Sequence, residues 1–176
     1  MLKLLILFIG LLVGLAHTYR GPTQPYGGFL GDPFVDEQKD TANVATLWFT
    51  QQLDHFDNNE VRTWKQRYYL RSTEFDGTGP VFLMIGGEGT LSSRWLSTGA
   101  MVDSGVQNKA LMFALEHRFY GQSRPLGDTS TDSLAYLSSE QALADLAEFR
   151  QAMAKKLVSS SFSIILFVSY PHINKV

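Results

Sequence analysis

Four places in this sequence have residue types and spacing that could support chemistry. The first is Gly86-Gly87-Glu88-Gly89, directly after the apolar run Val81-Phe82-Leu83-Met84-Ile85. A glycine turn at the end of a buried strand lets backbone N–H groups face an anion. Phosphate is a poor candidate: the spacing is neither G-x-G-x-x-G nor a Walker loop with its lysine, and Glu88 would repel it. Two readings stay open, a loop whose amides stabilise the charge growing on a carbonyl oxygen, or a tight turn without chemistry. The glycine pattern alone favours the turn. The second place is Glu116-His117-Arg118. No other His or carboxylate stands at metal-ligand spacing from His117, so the expected role is a charged network holding neighbouring loops, with Arg118 available for a bidentate contact to a carboxylate. The third, His55, lies in a polar turn between aromatic runs and reads as a hydrogen-bonded turn residue. The fourth is Ser169, which follows the apolar run 162–168 as an exposed nucleophile would. A nucleophile elbow needs small residues two before and two after its serine. Phe167 and Pro171 stand there, and Ser169 is not expected to work as a nucleophile.

The elements that must position these residues can be read from the apolar patterning. Leu47–Leu53 and Thr63–Leu70 are aromatic-rich, strand-like runs around the turn residues Asp54–Asn59, which predicts an antiparallel hairpin. Val81–Ile85 and Ala110–Leu115 are unbroken apolar runs, the pattern of strands buried on both faces of a parallel sheet. A weak helical pattern over Ser97–Val106 joins them into a βαβ unit. Ser138 and Gln141 have capping-box spacing at the start of a helix. Leu143, Leu146, Ala147, Met153 and Leu157 form its expected apolar stripe, and Lys155 and Lys156 suit the dipole at its end. Phe162–Val168 is again strand-like. Trp64, Tyr68, Tyr69 and Trp95 are expected to be packing aromatics.

Composition narrows the function class. The chain has 176 residues, 44% hydrophobic and 18% charged, with a net charge of −2, which is ordinary globular composition. No basic stretch points to nucleic acid. Cysteine is absent, so neither a disulfide framework nor a thiolate metal site exists within this sequence. Lys3, the apolar run Leu4–Leu15 and the small residues Gly14 and Ala16 make the three-part pattern of a signal peptide over residues 1–16. That run is too short to span a bilayer core of about 30 Å comfortably, so no stable membrane anchor is expected. Residues 17–46, rich in Gly, Pro and charge, read as an extended arm or propeptide.

Five segments occurring in order are similar to one family: Gln52-Leu53-Asp54-His55-Phe56, Thr63-Trp64-Lys65-Gln66-Arg67-Tyr68, Gly79–Gly89, Glu116-His117-Arg118-Phe119-Tyr120-Gly121-Gln122-Ser123-Arg124-Pro125, and Leu137–Leu146. Together they resemble the N-terminal part of the family of lysosomal Pro-Xaa carboxypeptidase, dipeptidyl peptidase II and thymus-specific serine protease, over residues 47–157. The resemblance implies an α/β fold, the N-terminal part of an α/β hydrolase with leading antiparallel strands and then parallel βαβ, incomplete here, with a helical cap later in the chain. It implies a Ser-Asp-His triad, no metal and no cofactor, and exopeptidase action on short peptides near proline, often at acid pH, in the secretory pathway, either secreted or lysosomal. Gly86, Gly87, Glu88 and Gly89 carry over as support of the oxyanion loop. Glu116, His117, Arg118, Tyr120 and Gly121 carry over as a structural signature. His117 comes too early to be catalytic, because the triad histidine is last in chain order in this fold.

The family pattern fades after Leu157, where relatives continue into a G-G-S-Y-G-like elbow, and residues 158–176 read as a divergent tail. The expectation is a truncated form, inactive alone, without the triad Asp and His. The alternative is a secreted, non-catalytic binding protein derived from the hydrolase front end. Expected partners are peptide substrates for the full-length family and, for the short chain, a dimer with a full-length relative.

Overall fold

The computed structural model describes residues 43–157 and 164–168. The expected signal peptide, the arm up to residue 42 and the tail around Ser169 lie outside the described residues. Five strands form one mixed sheet: β1 (Ala45–Gln52), β2 (Thr63–Arg71), β3 (Val81–Ile85), β4 (Leu111–Leu115) and β5 (Ile164–Val168), in the spatial order β1-β2-β4-β3-β5. β1 and β2 are the expected antiparallel hairpin, in a register running from Ala45 opposite Leu70 to Gln52 opposite Thr63. β1 starts at Ala45 rather than Leu47, because Ala45 and Thr46 find partners in Leu70 and Tyr69. The hairpin turn is built by side chains: Asp54 accepts from the Phe56 N–H and Asp57 from the Asn59 N–H, each carboxylate imitating a backbone turn.

β2 lies antiparallel to β4, while β4 and β5 flank β3 in parallel. This mixed α/β arrangement is consistent with part of an α/β-hydrolase-like domain. Because successive side chains in a strand point to opposite faces, β3 and β4 supply two cores at once. Phe82, Met84, Met112 and Ala114 pack with Tyr69, Leu91, Leu96 and Met101 on one face; Val81, Leu83, Leu111, Phe113 and Leu115 pack with Tyr68, Phe149 and Met153 on the other. Double burial is why both strands read as unbroken apolar runs.

The connection from β3 to β4 differs from the single helix over 97–106 that the sequence suggests. It holds a 3-10 turn, Ser93–Leu96, capped by Ser92, and then helix α1, Ala100–Gln107. Gly99 separates them at φ 99°, a conformation that glycine adopts without the steric cost of a Cβ. From β4 the chain passes through a single helical turn, α2 (Thr131–Leu134), and the long helix α3 (Ser139–Lys156).

Ser138 caps α3 as expected, its hydroxyl accepting from the Gln141 N–H at 3.2 Å. The Gln141 side chain does not complete the box. It turns to the hairpin, accepting from the His55 N–H and donating to Asp54 Oδ1. The expected apolar stripe holds in part: Met153 is buried, and Leu146 and Leu157 pack against the same core. Leu143 is 64% exposed, Ala147 is exposed, and the buried face is Gln141, Asp145, Phe149 and Met153. Two of these four buried residues are polar because their partners are the hairpin and the loop after β4. Phe149 is fully buried, its ring edge-on to Phe49, Tyr68 and Phe113 at centroid distances of 5.4, 5.0 and 5.8 Å. Among the described residues no helix is long and apolar enough to cross a membrane.

The two candidate faces of α3 separate cleanly by mutation. Phe149→Ala should lower unfolding free energy by about 3–5 kcal/mol, whereas Leu143→Ala should change it by less than about 0.5 kcal/mol. Urea unfolding midpoints of the two variants check this; comparable losses would mean that Leu143 is a core residue after all.

Candidate active-site platform

The carboxyl ends of the three parallel strands finish level, Ile85 standing opposite both Leu115 and Val168. β3 sits where the strand order reverses, since the chain goes from it to β4 on one side and later to β5 on the other. In open α/β sheets ligands bind outside the carboxyl ends of strands at such a switch point. Two of the segments singled out in the sequence, the glycine loop after β3 and the Glu116–Gly121 turn after β4, meet there.

The glycine loop is pinned at both ends. Gly86 N–H donates to the Leu115 carbonyl at 2.8 Å. A Cβ on Gly86 would stand 2.9 Å from that same oxygen, so a side chain there would push the end of β3 away from β4. At the other end, Leu91 N–H donates to Glu116 Oε1 at 3.0 Å, and Leu91 C=O accepts from Arg67 Nη2 and the Tyr69 hydroxyl. Gly86 therefore supports the loop by close approach, its own amide being engaged. Only the stretch from Gly87 through Gly89 to Thr90 lies between the pins. Its four N–H groups are the ones a ligand could meet.

Glu116 is the centre of this construction. It is fully buried, and both carboxylate oxygens are engaged. Oε1 accepts from Arg67 Nη2 as well as Leu91; Oε2 accepts from Arg67 Nε at 3.2 Å, from Gln122 N–H at 3.1 Å and from the Ser123 hydroxyl at 2.7 Å. Ser123 Oγ in turn accepts from Arg67 N–H. One carboxylate thus joins β2, the loop after β3 and the loop after β4. The second loop must fold tightly over it: Gly121 has φ 53°, and a Cβ there would lie 2.0 Å from Glu116 Oε1. Phe119, two residues before, holds φ 67°, a costly conformation for a bulky residue. The Phe119 N–H bond to Ser123 C=O at 2.8 Å helps to keep it there.

The remaining signature residues line the same turn. His117 Nδ1 bonds to the Arg118 carbonyl at 2.8 Å, and its ring lies edge-on to Tyr120 at 5.3 Å, a packing role. Burial pushes the Tyr120 hydroxyl up from its ordinary pKa, and the charge of Glu88 adds to that push, which sets Tyr120 within electrostatic reach of the glycine loop. Arg118 is fully buried and makes a bidentate carboxylate contact, with Asp145 of α3: Nε to Oδ2 at 2.7 Å and Nη2 to Oδ1 at 2.8 Å. Its Nη1 donates to the Tyr136 and Leu53 carbonyls, and its plane lies over Trp64.

The sequence reading missed the residues that connect these two ion pairs. Gln66 Nε2 donates to the Glu116 carbonyl; Gln51 Nε2 donates to Gln66 Oε1 and to the Asp145 carbonyl. A buried polar seam therefore runs from Arg67 and Glu116 through Gln66 and Gln51 to Asp145 and Arg118. Its signal was present as polar residues at inward positions of otherwise aromatic strands. His55 closes the far end, Nε2 meeting Asp145 Oδ1 at 2.7 Å. That pair looks like two members of a catalytic triad. It is not one, because Asp145 already neutralises Arg118 and no serine hydroxyl bonds His55 among the described residues. Ser169 lies outside the described residues.

Comparison with known proteins agrees with this architecture. A family model described as Serine carboxypeptidase S28 matches residues 51–173. A putative serine protease of Caenorhabditis elegans is 42% identical over 138 residues, covering 76% of this chain and 27% of its own. The thymus-specific serine protease of Mus musculus is 44% identical over 122 residues, covering 68% and 24%. The lysosomal Pro-X carboxypeptidase of Homo sapiens is 42% identical over 110 residues, covering 60% and 22%. The chain spans roughly a quarter of the length of these relatives.

The Glu116 network gives a direct mutational test. Glu116→Gln leaves Arg67 buried without its counter-charge and should cost about 3–5 kcal/mol. Ser123→Ala removes one donor to the carboxylate and one acceptor of the Arg67 amide, and should cost about 1–3 kcal/mol. Because the two residues share partners, the double variant should depart from additivity by more than about 0.5 kcal/mol. Urea unfolding of the four proteins measures this, and simple additivity would refute a single connected network.

Proposed function

The chain belongs to the serine carboxypeptidase S28 family, and from that premise we propose that it forms the oxyanion side of a serine-type exopeptidase acting on short peptides near proline. The observation that carries the proposal is the glycine loop held at both ends on the level carboxyl edge of the parallel strands. In acyl transfer a serine attacks the carbonyl, a histidine takes and returns the proton, and fixed N–H groups hold the oxyanion. The loop after the third strand contributes one of those donors in α/β hydrolases. Here the donors come from Gly87 to Gly89, and Gly86, Glu116 and Arg67 keep that stretch in place. Preorganisation matters because donors already fixed need no reorganisation when charge develops.

No residue of this sequence is assigned as the triad Asp or His, and Ser169 remains a poor elbow on the grounds of Phe167 and Pro171. This chain is accordingly proposed not to use Ser169 as a nucleophile. Its signal-peptide pattern, together with relatives named as lysosomal enzymes, supports a place in the secretory pathway, secreted or lysosomal.

Transcript sequencing beyond codon 157, followed by labelling with a fluorophosphonate probe, tests the reading. A frame encoding a G-x-S-x-G elbow should yield a product that reacts with the probe and cleaves short proline-containing peptides. In that product Gly87→Pro, which deletes one loop N–H, should lower kcat by about 10²–10³ with a smaller change in KM. The 176-residue chain should show no labelling that Ser169→Ala abolishes. If no product of the gene reacts, the peptidase reading falls and the non-catalytic binding protein takes its place.

A further inference from the structure

β1 closes one end of the sheet. It is bonded to β2 along one edge and, among the described residues, to no strand along the other. A free strand edge is a row of N–H and C=O groups ready to pair, and proteins usually blunt it with charge, proline or a bulge. β1 uses none of these. Its eight residues, Ala45–Gln52, include no charge, no proline and no glycine, and its register with β2 runs unbroken from end to end. Its Thr, Leu, Trp and Phe are strand formers. The two faces differ. Leu47 and Phe49 are half-buried against the core that holds Phe149 of α3. On the other face Thr46 and Thr50 are exposed and Trp48 is 45% exposed.

The neutrality of the edge selects its partner. The Lys65 ammonium of β2 reaches across to β1, but it is engaged, donating to the Thr50 hydroxyl at 2.7 Å. In the sequence just before β1, Asp36, Glu37, Lys39 and Asp40 fall close together, and that segment would set ionised groups beside Leu47 and Trp48. A second β1 matches the edge better. Antiparallel pairing about a two-fold axis at Trp48 sets Trp48 against Trp48 and Thr46 against Thr50 on one face, and Leu47 against Phe49 on the other, the like-with-like cross-strand pairs that stabilise sheets. Other registers lose this match. With the axis at Phe49, Leu47 meets Gln51 and Trp48 meets Thr50; with the axis at Leu47, Phe49 meets Ala45. A one-residue slip exchanges the two faces and sets solvent-facing residues of one copy beside core-facing residues of the other.

We infer that two copies of this chain associate edge to edge through β1, antiparallel and centred on Trp48, so that their sheets join into one. The contact is one strand wide. It is small beside the roughly 1,200–2,000 Å² buried in a stable interface, so the dimer is concentration dependent. β2 and β4 separate β1 from β3, and neither glycine loop enters the contact. The two-fold axis turns the carboxyl edges of the two sheets in opposite directions. The inference stands whether or not the peptidase reading holds.

The sequence has no cysteine, so a single introduced thiol reports the register. Residues directly opposite in an antiparallel pair have Cα atoms about 4.5–5.5 Å apart, within the roughly 4.4–6.8 Å that a disulfide spans. Mild oxidation of Trp48→Cys in the 176-residue chain should give a disulfide-linked dimer. Thr46→Cys and Thr50→Cys taken singly should not link, because each stands more than about 13 Å from its own copy across the axis; the two combined in one chain should link again. No link in Trp48→Cys, or equal linking in the three single variants, would overturn the inference. Sedimentation velocity supplies a second readout without a thiol. The mass of the wild type should rise towards that of a dimer with concentration. Trp48→Lys sets two like charges at the axis and should raise the dissociation constant at least about tenfold, whereas Leu143→Lys, at the exposed position of α3, should associate as the wild type does. A wild type that stays monomeric, or equal association in Trp48→Lys, would overturn it as well.

Discussion

A carboxylate taken out of water must be met by enough donors to replace its hydration, and Glu116 meets that demand with groups from three separate parts of the chain. An isolated buried charge costs several kcal/mol even after relaxation, so a conformation in which any of these parts moves away is strongly penalised. Arg67 comes from β2, Leu91 from the connection to α1, and Gln122 and Ser123 from the loop after β4. The carboxylate therefore acts as a geometric constraint on segments that come from three distant parts of the sequence. Loops are usually the least determined parts of a fold; here two of them inherit their position from a group in the interior.

The special backbone positions follow from that constraint. Gly86 is needed because the end of β3 must come within hydrogen-bonding distance of Leu115, and Gly121 because the chain must turn back over Glu116 with no room for a Cβ. Phe119 keeps a strained φ for the same reason: its own N–H bond to Ser123 and the bonds of Gln122 and Ser123 to Glu116 fix the turn around it. At the carboxyl edge of the sheet the close approaches fall in the loops, while β3 and β4 remain regular. This is the usual division between a rigid scaffold and a site built on its loops.

Much of this architecture could be read from the residues. The hairpin, the two doubly buried strands and the capped start of α3 follow from short-range rules, strand periodicity and side-chain capping, which the sequence displays directly. The inward face of α3 followed only in part: Met153, Leu146 and Leu157 lie on it, Leu143 and Ala147 do not. Hydrophobic periodicity looks for apolar residues, and Leu143 fits a stripe as well as Phe149 does; the true face includes Gln141 and Asp145, whose burial makes sense only once Arg118, His55 and Asp54 are known to be opposite. The same limit hid Gln51 and Gln66. A polar residue is recognisable as buried only through its partner, and the partners lie 15 to 94 positions away. Arg118 was legible as a bidentate donor in want of a carboxylate, but which carboxylate was decided by the crossover of the chain.

The mixed character of the α3 face has a consequence for register. Its apolar half, Phe149 and Met153, meets a broad surface of Tyr68, Phe113 and Leu83, and a slip by one turn would exchange one apolar contact for another at modest cost. The polar half tolerates no such exchange. Moving α3 by one turn would bring Phe149 or Gln141 opposite Arg118 and leave a fully buried guanidinium without its carboxylate, a loss of about 3–5 kcal/mol. Gln51 would lose the Asp145 carbonyl in the same movement. Apolar burial thus holds the helix on the sheet, while the Arg118–Asp145 pair decides where along the sheet it rests. Because α3 leads into β5, the position of the third parallel strand end depends on that choice, and with it the level edge on which the glycine loop is presented.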